Sequence, residues 1–353
     1  MRRPVYVVAA LIAIAAACGG VAETGDVPMA DDGGLDASLD QTVADRRAPD
    51  ATSSDAGADA ARDAPSDGAT DALTDAGADA DADAGEEEDP ILVKFAVVGD
   101  YGNGSGREAL VASLIMTWAP EFIVTTGDND YGTTEHHYDE YVGQYYHSFI
   151  APYAGAYGAG AVDNAFFPAI GNHDWNIDDG AAYFDFFELP GNERYFELDR
   201  GPVHFTFLDS DAREPDGTSA MSTQGQWAEA SLVNSAAPFK LVVFHHPRYT
   251  SGGITAWMDW PFATWGANAV LTGHVHNYER LRVDGLHYFV NGQGGVSTSG
   301  FGTTLPQSQV RYNAKDGAQL VEVGMKHARF RYYNVDGTLL DDLTIDPAGE
   351  PIP

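Results

Sequence analysis

Residues 122–131 read FIVTTGDNDY and join two halves of different chemical character. The first five residues are apolar or β-branched, which is typical of a buried strand. The second half contains a glycine, two aspartates, an asparagine and a tyrosine. Because α/β sheets bind ligands in loops at the carboxyl ends of their strands, this stretch predicts a strand that ends in a functional loop.

The same pattern occurs four more times in the chain. Predicted strands end in polar clusters at Gly99-Asp100 after 91–98, Gly171-Asn172-His173-Asp174 after 166–170, His245-His246-Pro247 after 239–244, and Gly273-His274-Val275-His276 after 269–272. One cluster is weak evidence, since a lone aspartate often caps a helix and a lone histidine is often structural. Five in succession predict one site assembled from separate strands. A glycine opens every cluster except that of His245, and we expect these glycines to let the backbone turn sharply.

Helices and antiparallel strands complete the predicted domain. Helices are predicted at 107–118, where Leu110, Leu114 and Trp118 recur every four residues, and at 223–233, with Trp227 and Leu232 inward. Their alternation with strands predicts an α/β layered fold. Antiparallel pairs predicted for 195–198 with 205–209, for 319–323 with 328–335, and for 339–345 indicate mixed sheets. Residues 91–346 are the predicted domain, and 347–353 are a tail.

The charge and the cysteine count restrict the possible partners. Lysine and arginine number 19 against 53 acidic residues, a net charge of −34. Such a surface repels phosphate backbones, so we expect no nucleic-acid partner and no charge-driven binding to an anionic membrane. The single cysteine excludes a disulfide framework, a zinc finger and an iron–sulfur cluster. Any bound metal must therefore be held by oxygen atoms and imidazoles.

Residues 1–18 are predicted to be a lipoprotein-type signal segment. Arg2 and Arg3 precede an apolar run at 5–17, which is shorter than the roughly 20 residues of a membrane span. Ala15-Ala16-Ala17-Cys18 resembles a lipobox, with Ala15 at the position of the usual leucine; ordinary cleavage near Ala17 is the alternative. We expect an exported protein of a bacterial cell envelope that meets the membrane only through a lipid anchor on Cys18.

Residues 19–90 have a composition that cannot form a packed core. The segment consists mainly of alanine, aspartate, glycine, threonine and serine, and it contains no aromatic residue. Residues 1–90 carry 21 acidic and 5 basic side chains. Low hydrophobicity with excess like charge predicts a disordered acidic tether.

The order of the motifs resembles a known superfamily. The patterns GD, GDxxY, GNHD, VxxH and GHxH follow one another between Asp100 and His276, as in the metallophosphoesterases. Tyr131, three residues after Asp128, and Asp100-Tyr101-Gly102 in place of a DxH motif resemble the purple acid phosphatases specifically. The resemblance implies a layered β-sandwich of two mixed sheets flanked by helices.

The resemblance also implies two metal ions that share one carboxylate. The first would be held by Asp100, Asp128, Tyr131 and His276, and the second by Asp128, Asn172, His245 and His274. A shared carboxylate can hold two cations at roughly 3.5 to 4 Å, the spacing used for in-line phosphoryl displacement. A phenolate with carboxylates favours Fe(III), and the second set suits a divalent Fe, Zn or Mn ion.

The expected activity is that of an acid phosphatase. A binuclear centre would hydrolyse a small phosphate monoester by attack of a metal-bound hydroxide. The family pattern assigns His173 to substrate contact and to protonation of the leaving group, and Asp174 is expected to orient His173 through a hydrogen bond. The alternatives are a phosphodiesterase or nucleotidase on the same scaffold, or a non-catalytic surface lipoprotein.

Other histidines near the motifs are assigned less specific roles. His246 either lines the pocket or contacts solvent, and His136 and His137 are expected in a solvated loop. In the larger purple acid phosphatases, a substrate-contacting histidine pair follows the VxxH strand. Here Ser251-Gly252-Gly253-Ile254-Thr255 occupies that stretch.

Overall fold

The computed structural model describes residues 89–253 and 257–352. The predicted signal segment and the predicted tether up to residue 88 lie outside these residues. The described part contains two mixed sheets with seven strands each. None of its helices combines the length and the apolar character that crossing a membrane requires.

The first sheet combines a parallel half with an antiparallel half. In spatial order it contains β14 (Pro351–Ile352), β13 (Leu339–Ile345), β12 (Ala328–Asn334), β11 (Gly317–Val323), β1 (Val93–Val98), β2 (Phe122–Thr125) and β3 (Phe166–Pro168). Strands β1, β2 and β3 are parallel, and β1 pairs antiparallel with β11. The loops that follow β1, β2 and β3 therefore leave from one edge of the sheet.

The second sheet has a parallel centre. Its spatial order is β10 (Ser308–Tyr312), β8 (Tyr278–Val283), β9 (Leu286–Asn291), β7 (Ala269–Thr272), β6 (Phe239–Val243), β5 (Val203–Phe207) and β4 (Phe196–Arg200). Strands β5, β6, β7 and β9 are parallel. The outer pairs, β4 with β5 and β8 with both β9 and β10, are antiparallel.

Helices of very different length connect and flank the strands. They are α1 (Gly106–Thr117), α2 (Gln144–Tyr146), α3 (Asn172–Trp175), α4 (Ala181–Phe186) and α5 (Thr223–Asn234). The Ser105 side chain accepts a hydrogen bond from the Glu108 backbone amide and so caps α1. Helix α1 buries Val111 and Ile115, whereas Leu110 is 55% exposed. The recurrence of apolar residues every four positions from Leu110 therefore predicted the position of the helix correctly, but it did not predict which face of the helix is buried.

Aromatic side chains fill the space between the sheets. The Phe95 ring of β1 meets the Phe205 ring of β5 edge to face, with centroids 5.2 Å apart. Tyr278 of β8 stacks on Tyr332 of β12 at 3.8 Å. Such contacts bury large apolar areas from both sheets. The α/β layered arrangement of two mixed sheets with few helices confirms the predicted fold class.

The folded part includes residues just before the predicted domain start at Ile91. The carboxylate of Asp89 accepts hydrogen bonds of 2.9 Å from the backbone amides of Met325, Lys326 and His327, which form the turn between β11 and β12. A charged acceptor for three neighbouring amides satisfies donors that strand pairing leaves free. Asp89 therefore belongs to the sheet structure rather than to the acidic segment that precedes it.

Candidate metal centre

The structure brings the seven side chains that the motifs singled out as ligands to one place. Asp100 follows β1, Asp128 and Tyr131 follow β2, and Asn172 begins α3 just after β3. From the second sheet, His245 follows β6, and His274 and His276 follow β7. The site thus lies where the carboxyl ends of parallel strands of both sheets meet, as in other layered α/β proteins.

One group of four side chains surrounds the Tyr131 hydroxyl. The Tyr131 Oη lies 3.0 Å from Asp100 Oδ1, 3.0 Å from Asp128 Oδ2 and 3.1 Å from His276 Nε2. The other nitrogen of His276, Nδ1, is hydrogen-bonded to the Ser297 hydroxyl. This bond orients the imidazole so that Nε2 faces the carboxylates, the arrangement usual for histidines that bind metals.

The second group surrounds His245 Nε2. This nitrogen lies 3.1 Å from Asp128 Oδ2 and 3.1 Å from Asn172 Oδ1. His274 Nδ1 lies 3.0 Å from the same Asn172 oxygen and 3.2 Å from His245 Nε2. Asp128 Oδ2 therefore belongs to both groups.

Backbone amides hold the two carboxylates in these positions. The amide of His274 donates to Asp100 Oδ2, and the amide of His173 donates to Asp128 Oδ1, each at 2.8 Å. One oxygen of each carboxylate is thereby occupied, and the other faces the site. Asp100 and Asp128 are fully buried, so their orientation is further restricted by packing.

The chemistry of these atoms fits bound cations. His245 Nδ1 lies 2.9 Å from the Thr126 carbonyl oxygen and donates its proton there, so that in the neutral ring Nε2 carries a lone pair. That lone pair faces a carboxylate oxygen and an amide oxygen, which are also acceptors. Ligand atoms of Asp100, Asp128 and His245 lie within 4.8 Å of one another, as do those of His245, His246 and His274. Converging acceptors of this kind fit two cations that share Asp128.

In the protein alone, a proton takes the place of a cation between His245 and Asp128. Burial by itself would lower the pKa of His245, but the Asp128 and Asp100 carboxylates outweigh it and raise the pKa to about 10, so a bound cation would replace the proton on Nε2. Burial by itself would raise the pKa of Asp128, but the neighbouring His245 outweighs this effect, and the pKa is lowered. Burial, together with the Asp100 and Asp128 carboxylates, raises the pKa of Tyr131 well above its ordinary value. The Tyr131 phenol therefore keeps its proton in the protein alone, and its ionisation as a ligand requires the charge of a cation.

Unusual backbone conformations coincide with the site. Asp100, Asp128 and His274 have φ values of 58°, 55° and 67°, in the left-handed region that non-glycine residues rarely adopt. Such strain is typical of functional sites. Of the glycines that open the clusters, Gly127 turns in this way, with φ 97°. Gly273 instead allows close approach, because a Cβ atom there would lie 2.5 Å from Asp100 Oδ2. The sharp backbone turns that the sequence predicts at the glycines are thus found mainly at the proposed ligand residues themselves.

His173 lies at the border of the site. Its imidazole packs on the Tyr131 ring, with centroids 4.1 Å apart. The residue is half-buried, and among the described residues its one hydrogen bond to the centre is donated by its backbone amide to Asp128. This position leaves the ring free to face a substrate beside the centre.

Asp174 does not have the surroundings expected for a partner of His173. Its carboxylate accepts hydrogen bonds from the Gly171 amide at 2.8 Å, the Tyr138 hydroxyl at 2.8 Å and the Asn129 backbone amide at 3.0 Å. Within the described part of the chain, no hydrogen bond joins Asp174 to the His173 ring. The expected orienting bond is therefore corrected: α3 directs Asp174 inward, where it holds the β2 and β3 loops together.

Three further histidines lie in loops near the motifs. His246 is 6% exposed, its Nδ1 lies 2.9 Å from Ser210 Oγ, and its ring lies 4.4 Å from that of His274, so it lies against the site and not in solvent. The His136 side chain is only 9% exposed, and its Nε2 lies 3.0 Å from Asp178 Oδ1, contrary to the expected solvated loop. The partly exposed His137 pairs with Glu140 on the surface.

A sixth polar cluster escaped the sequence interpretation. It follows β5, which was expected to extend to Asp209 but ends at Phe207. In this cluster, Asp211 binds the Arg213 guanidinium at 2.7 and 2.8 Å, and Arg213 donates to the Asn172 carbonyl oxygen at 3.1 Å. The sequence does contain the pattern of a buried strand followed by polar residues here. This strand is predicted only as the antiparallel partner of β4, and its predicted end at Asp209 includes the first polar residue of the cluster.

Two mixed sheets whose strand ends converge on two ligand groups with a common aspartate are the architecture of a metal-dependent phosphoesterase. A family model described as calcineurin-like phosphoesterase matches residues 93–278, more than half of the 353-residue chain. The chain therefore belongs to the calcineurin-like phosphoesterase family and to its superfamily of metal-dependent hydrolases.

Solved structures share this fold at low sequence identity. GAP50, the anchor in the inner membrane complex of Plasmodium, is 16% identical with a TM-score of 0.58, and the match covers 73% of this chain and 89% of that one. A purple acid phosphatase from yellow lupin (Lupinus luteus) seeds is 17% identical with a TM-score of 0.58; the match covers 72% of this chain and 53% of the lupin enzyme. The comparison with curated proteins gave no match.

Proposed function

We propose that this protein is a binuclear metallohydrolase of phosphate monoesters similar to the purple acid phosphatases. The proposal rests on Asp128 Oδ2, which lies 3.0 Å from the Tyr131 hydroxyl and 3.1 Å from His245 Nε2 and so joins the two ligand groups. The tyrosine in the first group supports an Fe(III) ion there, and the amide and imidazoles of the second group support divalent Fe, Zn or Mn. The likeness to the lupin enzyme is consistent with this choice.

Bound there, the two cations would supply a nucleophile derived from water and would neutralise charge on the phosphoryl group. The chain's own residues provide orientation and a proton. Backbone amides fix the carboxylates of Asp100 and Asp128, and both side chains are buried and so shielded from bulk water. His173, whose ring rests on Tyr131, donates a proton from its imidazole to the leaving alkoxide oxygen.

The test is a visible spectrum with metal analysis and a phosphomonoesterase assay on the purified protein. A phenolate bound to Fe(III) gives a purple colour, which Tyr131→Phe should remove. Tyr157→Phe is the matched control, because Tyr157 is exposed on the surface. A colourless but active Zn or Mn protein would contradict the iron assignment. Inactivity with Fe, Zn and Mn would contradict the hydrolase.

Two other functions remain as alternatives to this proposal. Comparison of steady-state rates on a monoester and a diester separates a phosphatase from a phosphodiesterase. GAP50, which shares the fold, is described as an anchor, so a non-catalytic role is the second alternative. The complete set of ligand side chains argues against it, whereas a purified protein without metal and without hydrolysis would support it.

We also propose that the protein is exported and lipid-anchored through Cys18. The basic start, the short apolar run and the position of Cys18 support this proposal. Cys18→Ser should move the protein from the membrane fraction to the soluble fraction of the cell envelope. An unchanged distribution would contradict the anchor but not the proposed activity.

A further inference from the structure

Trp257 presents a large aromatic ring to solvent beside the metal centre. Its side chain is 40% exposed, although its indole nitrogen donates a hydrogen bond of 2.7 Å to the Ser210 carbonyl oxygen. The ring is therefore held in place while a large part of it faces water. A tryptophan in this position combines a polar anchor with an apolar face that a ligand can cover.

The anchor places Trp257 at the edge of the sheet where the ligands lie. Ser210 belongs to the loop after β5, and its hydroxyl lies 2.9 Å from Nδ1 of His246. The Trp257 ring lies 5.4 Å from that of His246, which lies 4.4 Å from that of His274. The indole is thus no more than about 10 Å from the ring of a proposed metal ligand.

We propose that Trp257 is a specificity-determining residue that stacks on a planar aromatic ring in the alcohol part of the phosphate ester. This inference rests on the proposed function, because the phosphate is taken to bind at the metal centre. The His246 ring lies between the indole and His274. A ring that stacks on Trp257 must therefore be separated from the phosphorus atom by about the length of one sugar. A nucleoside monophosphate has this layout, whereas a simple sugar phosphate offers no ring for the indole to cover.

The proposal predicts a preference that depends on the base alone. Base stacking on an aromatic side chain makes a contribution that corresponds to about a tenfold effect on binding or more. Adenosine 5′-monophosphate should therefore have a kcat/KM about tenfold above that of ribose 5-phosphate, which has the same sugar phosphate without the base. Any sugar contact common to both substrates cancels in this ratio.

Variants of the full chain test the ratio. Trp257→Leu should bring the ratio of the two kcat/KM values close to one, and Trp257→Phe should retain most of it, because a phenyl ring still stacks. Trp227→Leu is the matched control: Trp227 of α5 packs on Tyr195, the residue before β4, with ring centroids 4.9 Å apart. A ratio that Trp257→Leu leaves unchanged would overturn the proposal. If Trp257→Leu fails to fold, the loss of the ratio in Trp257→Phe would overturn it instead.

A binding measurement separates this inference from the proposed activity. Calorimetry with inorganic phosphate and with a non-hydrolysable analogue of adenosine 5′-monophosphate, in which a methylene group replaces the ester oxygen, is carried out on the metal-loaded protein and on Trp257→Leu. Base-dependent affinity that Trp257→Leu abolishes supports the stacking subsite even if no hydrolysis is observed, a result that would contradict only the proposed function. Equal affinities for nucleotide in both proteins, with hydrolysis intact, would overturn the subsite alone.

Discussion

His173 and Asp174 are neighbours in the chain with opposite surroundings. The His173 ring is half-buried and packs on Tyr131, whereas Asp174 is fully buried and accepts hydrogen bonds from two loops. Burial and the nearby Asp128 carboxylate raise the pKa of Asp174 to about 7. One residue is therefore suited to contact substrate and the other to maintain the loop structure, and the two roles can be separated by experiment.

We expect His173→Asn to reduce kcat by about a hundredfold or more while the metal content stays unchanged. Loss of a positioned general acid typically costs between about 10²- and 10⁴-fold. The measurements are steady-state rates on a monoester and metal analysis of the same sample. His137→Asn, on the surface of a neighbouring loop, should leave both unchanged. A His173→Asn protein that lacks metal would indicate a structural role instead.

Asp174→Ala should reduce stability rather than catalysis specifically. The substitution leaves the Gly171 amide, the Asn129 amide and the Tyr138 hydroxyl without their buried acceptor. Unpaired buried donors of this kind lower the free energy of unfolding by about 1–3 kcal/mol. Chemical denaturation measures the difference. Unaltered stability with a reduced kcat would restore the orienting role that the sequence suggested for Asp174.

At the scale of elements, sequence reasoning succeeded where strands are buried on both faces. The apolar runs that became β1, β2, β6 and β7 were recognised, and the polar residues after them located the site. Strand β10 was missed, because it lies at a sheet edge and buries none of its residues fully. The ligand backbone conformations were equally inaccessible, because φ depends on contacts between loops that are distant in sequence.

The turn between β11 and β12 provides a prediction with a defined pH dependence. Burial by itself would raise the pKa of Asp89, but hydrogen bonds from the amides of Lys326, Met325 and His327 outweigh it and lower the pKa. A carboxyl group whose pKa is lower in the folded state than in the unfolded state stabilises the folded protein. This contribution is fully present at pH values above the unfolded pKa of about 3.9, and it is lost as the pH falls through the folded pKa.

Asp89→Asn should therefore lower stability by about 1 kcal/mol near neutral pH, since the amide offers one acceptor oxygen and no charge. The difference should shrink as the pH falls from about 5 to below 4. Thermal unfolding of both proteins across this range is the measurement. Asp163→Asn, on the exposed surface, should have little effect at any pH. A difference that is independent of pH would show that the charge of Asp89 does not contribute.

At the scale of the whole molecule, the negative net charge opposes the approach of the proposed substrate. The chain has a net charge of −34, so at long range it repels a dianionic phosphate ester. Only the cations proposed to bind at the centre would attract the substrate, and their influence reaches a shorter distance than the field of all the acidic side chains. The net charge of the protein should therefore lower the association rate of the substrate, and attraction by the cations should act only when the substrate is close to the centre.

We expect kcat/KM for a phosphate monoester to rise when ionic strength increases from about 0.01 to 0.1 M, because screening shortens the Debye length from about 30 to 10 Å. The repulsion between the substrate and distant carboxylates then weakens, while contacts at the centre are screened less. Steady-state rates in an inert monovalent salt measure the effect. The same monoester below about pH 6, where its phosphate carries a single negative charge, is the control, and its rise should be smaller. A kcat/KM that falls with salt would instead mean that the local positive charge of the centre governs the approach of the substrate.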